Sequence, residues 1–149
     1  MPLHDPVRVA EDAAVVDLIS GGRLILGIGL GYRQEEFSAF GRTLRERRGR
    51  MEESIEILQK GWADEPFSLD GKYYKLENTS ITPKPIQKPI PIWIGAFTEP
   101  SIRRAARIGA PLACGAPRRI RQESGGFRKA ARTGDVYIRR GLRRHMGED

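Results

Sequence analysis

This sequence predicts an α/β fold built on parallel strands, and three observations carry the prediction. A helical pattern from Pro6 to about Ile19 runs through Ser20-Gly21-Gly22 into the apolar stretch Leu24-Ile25-Leu26-Gly27-Ile28. A helix that stops on glycine and feeds a short apolar run is one αβ unit with a buried strand. A second apolar run, Ile92-Trp93-Ile94, ends at Gly95 and is followed by a helix start at Thr98-Glu99-Pro100-Ser101. Between the two lies a long amphipathic segment, Leu44 to Trp62, which supplies the helical crossover that parallel strands require.

Taken in order, Asp5 is placed to cap the first helix, and Pro6 suits its first turn because no N–H is needed there. Val7, Ala10, Ala14 and Leu18 fall on one helical stripe, predicting the buried face. Residues 32–41 read as a loop closing into a short helix. Thr43 is the expected cap of the next helix, where Leu44, Met51, Ile55, Leu58 and Trp62 recur at helical steps. The opposite face carries Arg45, Glu46, Arg47, Arg48, Arg50, Glu52, Glu53 and Glu56. It reads as a solvated face with pairs such as Arg48–Glu52. Phe67 to Leu76 predicts a hairpin turning on Asp70-Gly71, the favoured two-residue turn. Pro83, Pro85, Pro89 and Pro91 punctuate a connector expected to run extended over the surface. Trp93 is expected in the core. In the last helix Ile102, Ala105, Ala106 and Ile108 are the apolar residues, and Leu112 to Cys114 reads as the start of a third strand.

Composition narrows the function classes. The chain has 149 residues, enough for one domain, and 39% are apolar. Cys114 is the only cysteine, which excludes an internal disulfide and favours a cytoplasmic setting. The first residues show no secretory signal, and no run approaches the roughly 20 apolar residues of a membrane helix. The formal net charge of +7 invites a nucleic-acid partner, but its location argues otherwise. Residues 1–110 hold 16 Lys and Arg against 15 Asp and Glu, whereas residues 111–149 hold 10 against 4. The basicity belongs to a tail that reads as disordered.

Two strand ends are candidate sites. Gly27, Gly29 and Gly31 form G-x-G-x-G, which differs from the G-x-G-x-x-G of dinucleotide folds. The remaining readings are a strand packed closely on a neighbour and a side-chain-free wall for a planar cofactor. The second is preferred, with Tyr32 and Arg33 just beyond as pocket-lining candidates. At Gly95-Ala96-Phe97-Thr98-Glu99-Pro100-Ser101, a helix start with two hydroxyls either binds an anion or caps itself. His4 stands at an expected strand end before a helix, where barrels carry catalytic side chains. Neither a metal-ligand spacing nor a Ser-His-Asp or G-x-S-x-G arrangement is present.

The residues resemble the luciferase-like monooxygenase family, which includes bacterial luciferases, alkanesulfonate monooxygenases and coenzyme F420-dependent oxidoreductases. The resemblance rests on segments 2–11 and 18–29, on Glu36-Phe37 with Phe40-Gly41, on 67–74 and 82–85, and on Pro91-Ile92-Trp93-Ile94-Gly95. It covers roughly residues 2 to 114. It implies a TIM-type (β/α)8 barrel binding reduced FMN or F420 at the C-terminal strand ends. The chemistry would be flavin-dependent monooxygenation or F420-dependent hydride transfer on a small organic substrate, with a flavin reductase or F420-reducing enzyme as cofactor supplier. It implies that Gly29 and Gly31 lie near the ring and that Thr98, Ser101 and the Glu99 N–H face the phosphate, with Tyr32 and Gly95 as further cofactor-binding candidates. Leu30 stands where luciferase proper has an arginine for phosphate, which tilts the choice toward F420.

A TIM barrel typically needs about 250 residues. The expectation is therefore a partial barrel, residues 1–114, with a divergent Arg- and Gly-rich tail at 115–149. By the same comparison roughly three strands would precede His4. Such a chain reads as a fragment, open at its sheet edges and prone to pair with a second copy. Its alternatives are a non-enzymatic remnant and a basic-tailed module that contacts nucleic acid through phosphate charge.

Overall fold

The computed structural model describes residues 1–96 and 98–108. Among them the order is α1 (Pro6–Ser20), β1 (Leu26–Ile28), α2 (Gln34–Ala39), a 3-10 turn (Leu44–Glu46), α3 (Arg47–Gly61), β2 (Phe67–Asp70), β3 (Lys75–Thr79), β4 (Ile92–Ile94) and α4 (Glu99–Ile108). The chain divides into two units, Met1–Trp93 and Ile94–Asp149. The third strand expected at Leu112, the boundary at Cys114 and the tail lie outside the described residues.

In the first unit α1 begins as its sequence dictates. The Asp5 carboxylate accepts from the Val7 and Arg8 N–H groups at 2.9 and 3.1 Å, and Pro6 opens the helix. Gly21 ends it in the left-handed conformation, φ 67°, with its N–H closing onto the last turn. α1 packs on α3. The stripe expected on α1 is corrected: Ala10, Ala13, Ala14 and Asp17 are buried, while Leu18 is 41% exposed. Small side chains let α3 come close, and the Trp62 indole N–H reaches the Ala10 carbonyl at 3.1 Å. Met51, Ile55, Ile57, Leu58 and Trp62 complete this core.

β1 hydrogen-bonds to β4 in a two-stranded sheet, parallel across the α2–α3 crossover. The Leu26 N–H enters the pairing by donating to the Pro91 carbonyl at 2.9 Å. β1 is shorter than expected, starting at Leu26 rather than Leu24, and only Ile28 of its three residues is buried. Thr43 makes no side-chain cap, another correction, and the chain enters α3 through the 3-10 turn. Trp93 is half-buried, so the core tryptophan is Trp62.

The hairpin is present but does not turn on Asp70-Gly71. Asp70 pairs with Lys75 and Leu69 with Leu76, leaving a four-residue loop from Gly71 to Tyr74. Its shape comes from α3: the Glu53 carboxylate accepts the N–H groups of Lys72, Tyr73 and Tyr74 at 2.9, 2.9 and 3.0 Å. A Cβ on Gly71 would collide with that carboxylate, so close approach, not a positive φ, requires the glycine. The charged face of α3 is thus only partly a solvated one. The proline connector is also less exposed than expected, since Ile81, Pro85 and Ile90 are buried.

In the second unit Gly95 and Ala96 follow β4, and α4 begins at Glu99. Ile102 and Ala105 are its buried residues and Ala106 is half-buried.

Candidate functional site

The site at the end of β1 is built from backbone. Gly27 and Gly29 are exposed, and among the described residues no atom lies within 4 Å of where their Cβ atoms would be. Among the described residues, then, no neighbour packs against these two glycines. Gly31 differs: its φ of 75° favours glycine, and a Cβ would meet the Phe37 ring at 3.0 Å. Phe37 is fully buried on α2 and supports the turn. The Arg47 guanidinium, from the first residue of α3, donates to the Gly31 carbonyl at 3.0 Å. The Gly29 carbonyl accepts from the Met1 ammonium at 3.1 Å, and burial lowers the pKa of that ammonium. Tyr32 is 76% exposed, with the Arg33 guanidinium 5.8 Å from its ring centroid.

The near end of β1 is anchored by Asp17, a fully buried carboxylate in the last turn of α1. It accepts from the Gln87 backbone N–H at 2.9 Å, the Gln87 side-chain amide at 2.6 Å and the Leu24 N–H at 3.4 Å. The Gln87 amide also donates to the Leu24 carbonyl at 2.8 Å. Burial pushes the Asp17 pKa up, but these hydrogen bonds and one from Ile86 outweigh it and hold the carboxyl below its ordinary value. Asp17, Gln87 and Arg47 thus set where β1 lies and where its glycine end points.

His4 is exposed in a turn, its N–H donating to the Met1 carbonyl and its ring edge-on to Phe40 at 5.9 Å between centroids. The strand expected before it is not found among the described residues.

In the second unit the helix start is self-capped. The Thr98 N–H donates to the Ser101 hydroxyl at 3.0 Å, and that hydroxyl donates to the Thr98 carbonyl at 2.7 Å. The two hydroxyl oxygens are 3.1 Å apart. Thr98 and Glu99 are exposed, and Gly95 and Ser101 are half-buried. The Glu99 carboxylate pairs with Arg103 and is directed along the helix. Among the described residues no His, Cys, Asp and Glu group could hold a metal ion, and no helix is long and apolar enough to cross a membrane.

Sequence reasoning did not single out Asp17, Gln87 or Arg47 as site residues. A signal existed for two of them. An acid in the last turn of a helix and an arginine in the first both oppose the helix dipole, which implies that something outside the helix holds them. Gln87 carried no such mark.

The fold has counterparts among known proteins. Residues 1–145 match the luciferase-like monooxygenase family. The F420-dependent glucose-6-phosphate dehydrogenase of Amycolatopsis mediterranei is 32% identical over 114 residues, 74% of this chain and 34% of that protein. The monooxygenase RslO1 from Streptomyces bottropensis superposes with a TM-score of 0.79 at 28% identity, over 92% of this chain and 44% of that one. The oxygenating constituent of 3,6-diketocamphane monooxygenase from the CAM plasmid of Pseudomonas putida, solved with FMN, shares the fold. Its TM-score is 0.69 at 21% identity, covering 92% of this chain and 42% of that one. The chain spans about a third of the length of the curated relatives it matches. These neighbours have the TIM-barrel luciferase-like fold, to which the α/β arrangement with parallel strands corresponds. The chain belongs to the luciferase-like monooxygenase family.

Proposed function

We propose that this chain carries part of the cofactor site of a luciferase-like oxidoreductase that binds F420 or FMN and acts on a small organic substrate. The observation that carries the reading is the open glycine wall: Gly27 and Gly29 meet no described atom within 4 Å, so no described neighbour occupies the space that a planar ring approaching the backbone would take. When bound, the cofactor would supply either hydride transfer or oxygen activation. Gly29, Gly31, Tyr32 and Gly95 would border the ring. Thr98, Glu99 and Ser101 would face the phosphate, with the Glu99 N–H as donor while the Thr98 N–H and the Ser101 hydroxyl stay in the cap they share. His4 would act as a proton carrier near the substrate. F420 is favoured by Leu30, which offers a phosphate no charge, and by the F420-dependent relative. Residues 1–114 would form a partial barrel with the hairpin as an insertion and the basic tail as a separate segment. The chain would work in the cytoplasm with a cofactor-reducing enzyme, and would pair with a second copy.

The test is Gly29→Val. Nothing described stands where the new side chain would go, so the thermal midpoint should stay close to that of the parent, a change within about 0.5 kcal/mol. Binding of F420 or FMN, followed by fluorescence, should fall by at least about tenfold as the side chain occupies the ring's place. Equal affinity in parent and variant would refute the assignment of Gly29.

A further inference from the structure

We propose that Arg47 is a positioning residue for the cofactor: its guanidinium holds the Gly29–Gly31 backbone in the shape that receives the ring. The inference rests on the reading that the end of β1 binds F420 or FMN, and it assigns a role to a side chain that does not itself line the open wall.

A glycine-rich strand end has more backbone freedom to lose than any other sequence, so left alone it binds poorly. Its shape must be imposed from outside. Two contacts impose it here. The buried Phe37 ring closes the side of Gly31 on which a Cβ would stand, at 3.0 Å. The Arg47 Nη1 donates to the Gly31 carbonyl at 3.0 Å from a partly buried position. Gly27 and Gly29, immediately before, are open. The backbone is therefore clamped just past the place where it is bare, which is the arrangement that fixes a wall without obstructing it.

Arg47 also stands where helix energetics do not favour it. It is the first residue of α3, a helix with no acid in its first turn, and a cation there opposes the helix dipole. The bond to Gly31 bridges 16 residues of sequence. A carbonyl acceptor leaves the guanidinium's positive charge intact, so the clamp also makes the glycine turn electropositive, which suits a reduced ring or a phosphate ester.

The experiment uses the full chain and measures F420 and FMN affinity by fluorescence titration, alongside circular dichroism and the thermal midpoint. Arg47→Met keeps the aliphatic stem and removes the donor. Arg47→Lys restores a charged donor. Arg8→Met, at an exposed arginine on α1 paired with Asp12, is the control. The expected result is an affinity about tenfold weaker in Arg47→Met at a temperature where the variant is fully folded, recovered in large part by Arg47→Lys and unaffected by Arg8→Met. Should Arg47→Met not fold, Arg47→Leu, which likewise lacks a donor, carries the same comparison. Parent affinity in the folded neutral variant overturns the proposal. So does a loss that Arg47→Lys does not lessen, or one that disappears when the variant is restored to the parent's folded fraction. If the parent chain binds neither cofactor, the cofactor reading itself falls and this inference with it; if the parent binds and Arg47→Met binds equally, only the inference falls.

Discussion

Asp17 shows how a single side chain can decide the position of a strand it does not belong to. Its carboxylate is fully buried yet ionised, because Gln87 supplies two donors and Leu24 a third. Replacing it with Asn turns an amide N–H toward those donors, and the expected destabilisation is about 2–3 kcal/mol in a urea titration at neutral pH. The pH dependence follows from the direction of the shift. The folded carboxyl is held below its ordinary value of 3.8. The unfolded chain therefore binds this proton first, and Asp17 contributes its full stabilisation above about pH 4–5. That contribution falls as the pH drops through the folded value. Urea midpoints measured from pH 7 to 3 should fall more steeply for the parent than for Asp17→Asn. Parallel curves would show that Asp17 is not the carboxylate responsible.

At the scale of elements, the hairpin illustrates a prediction that is right in kind and wrong in mechanism. The hairpin is expected from the turn residues Asp70-Gly71. The loop follows from Glu53, 20 residues before Tyr73, whose carboxylate gathers three N–H groups. Glu53→Gln retains one good acceptor and should cost about 1–2 kcal/mol. The loss should be local, with faster amide exchange at Lys72, Tyr73 and Tyr74 and little change in α1. Uniformly faster exchange throughout the first unit would contradict a local role. The same contrast explains what could be read in advance. α1 and β4 are bounded by local chemistry, Asp5 with Pro6, Gly21, and Gly95, and these ends match the sequence. β1 was expected two residues longer because Leu24 and Ile25 are apolar, but the Leu24 N–H and carbonyl are drawn to Asp17 and Gln87. The glycine wall was legible because glycine leaves a mark in composition. Its supports were not, because the Asp17–Gln87 bond spans 70 residues and the Arg47–Gly31 bond lies within what looked like a solvated charged face.

For the molecule as a whole, the apolar surface left uncovered is the strongest constraint on its behaviour in solution. Val15, Val16 and Leu18 are 41%, 48% and 41% exposed on α1, and Ile19 is 82% exposed. These lie in the last turns of one helix, whose opposite face of alanines is buried against α3. Isolated exposed hydrophobes are ordinary, but four within five residues form a patch that water solvates poorly. Among the described residues the sheet holds β1 and β4, and its outer edges are able to pair with another chain. Self-association driven by α1 should therefore be insensitive to salt, since burial of apolar area is not screened as charge pairs are. Sedimentation velocity across a concentration series should show reversible growth in mass for the parent chain. Ile19→Glu, at a side chain with almost no contacts to lose, should shift that association to at least about tenfold higher concentration without lowering the thermal midpoint. A parent chain that stays monomeric at every concentration would refute self-association through this face of α1, and an association that salt disperses and Ile19→Glu leaves unchanged would place the driving force in charge instead.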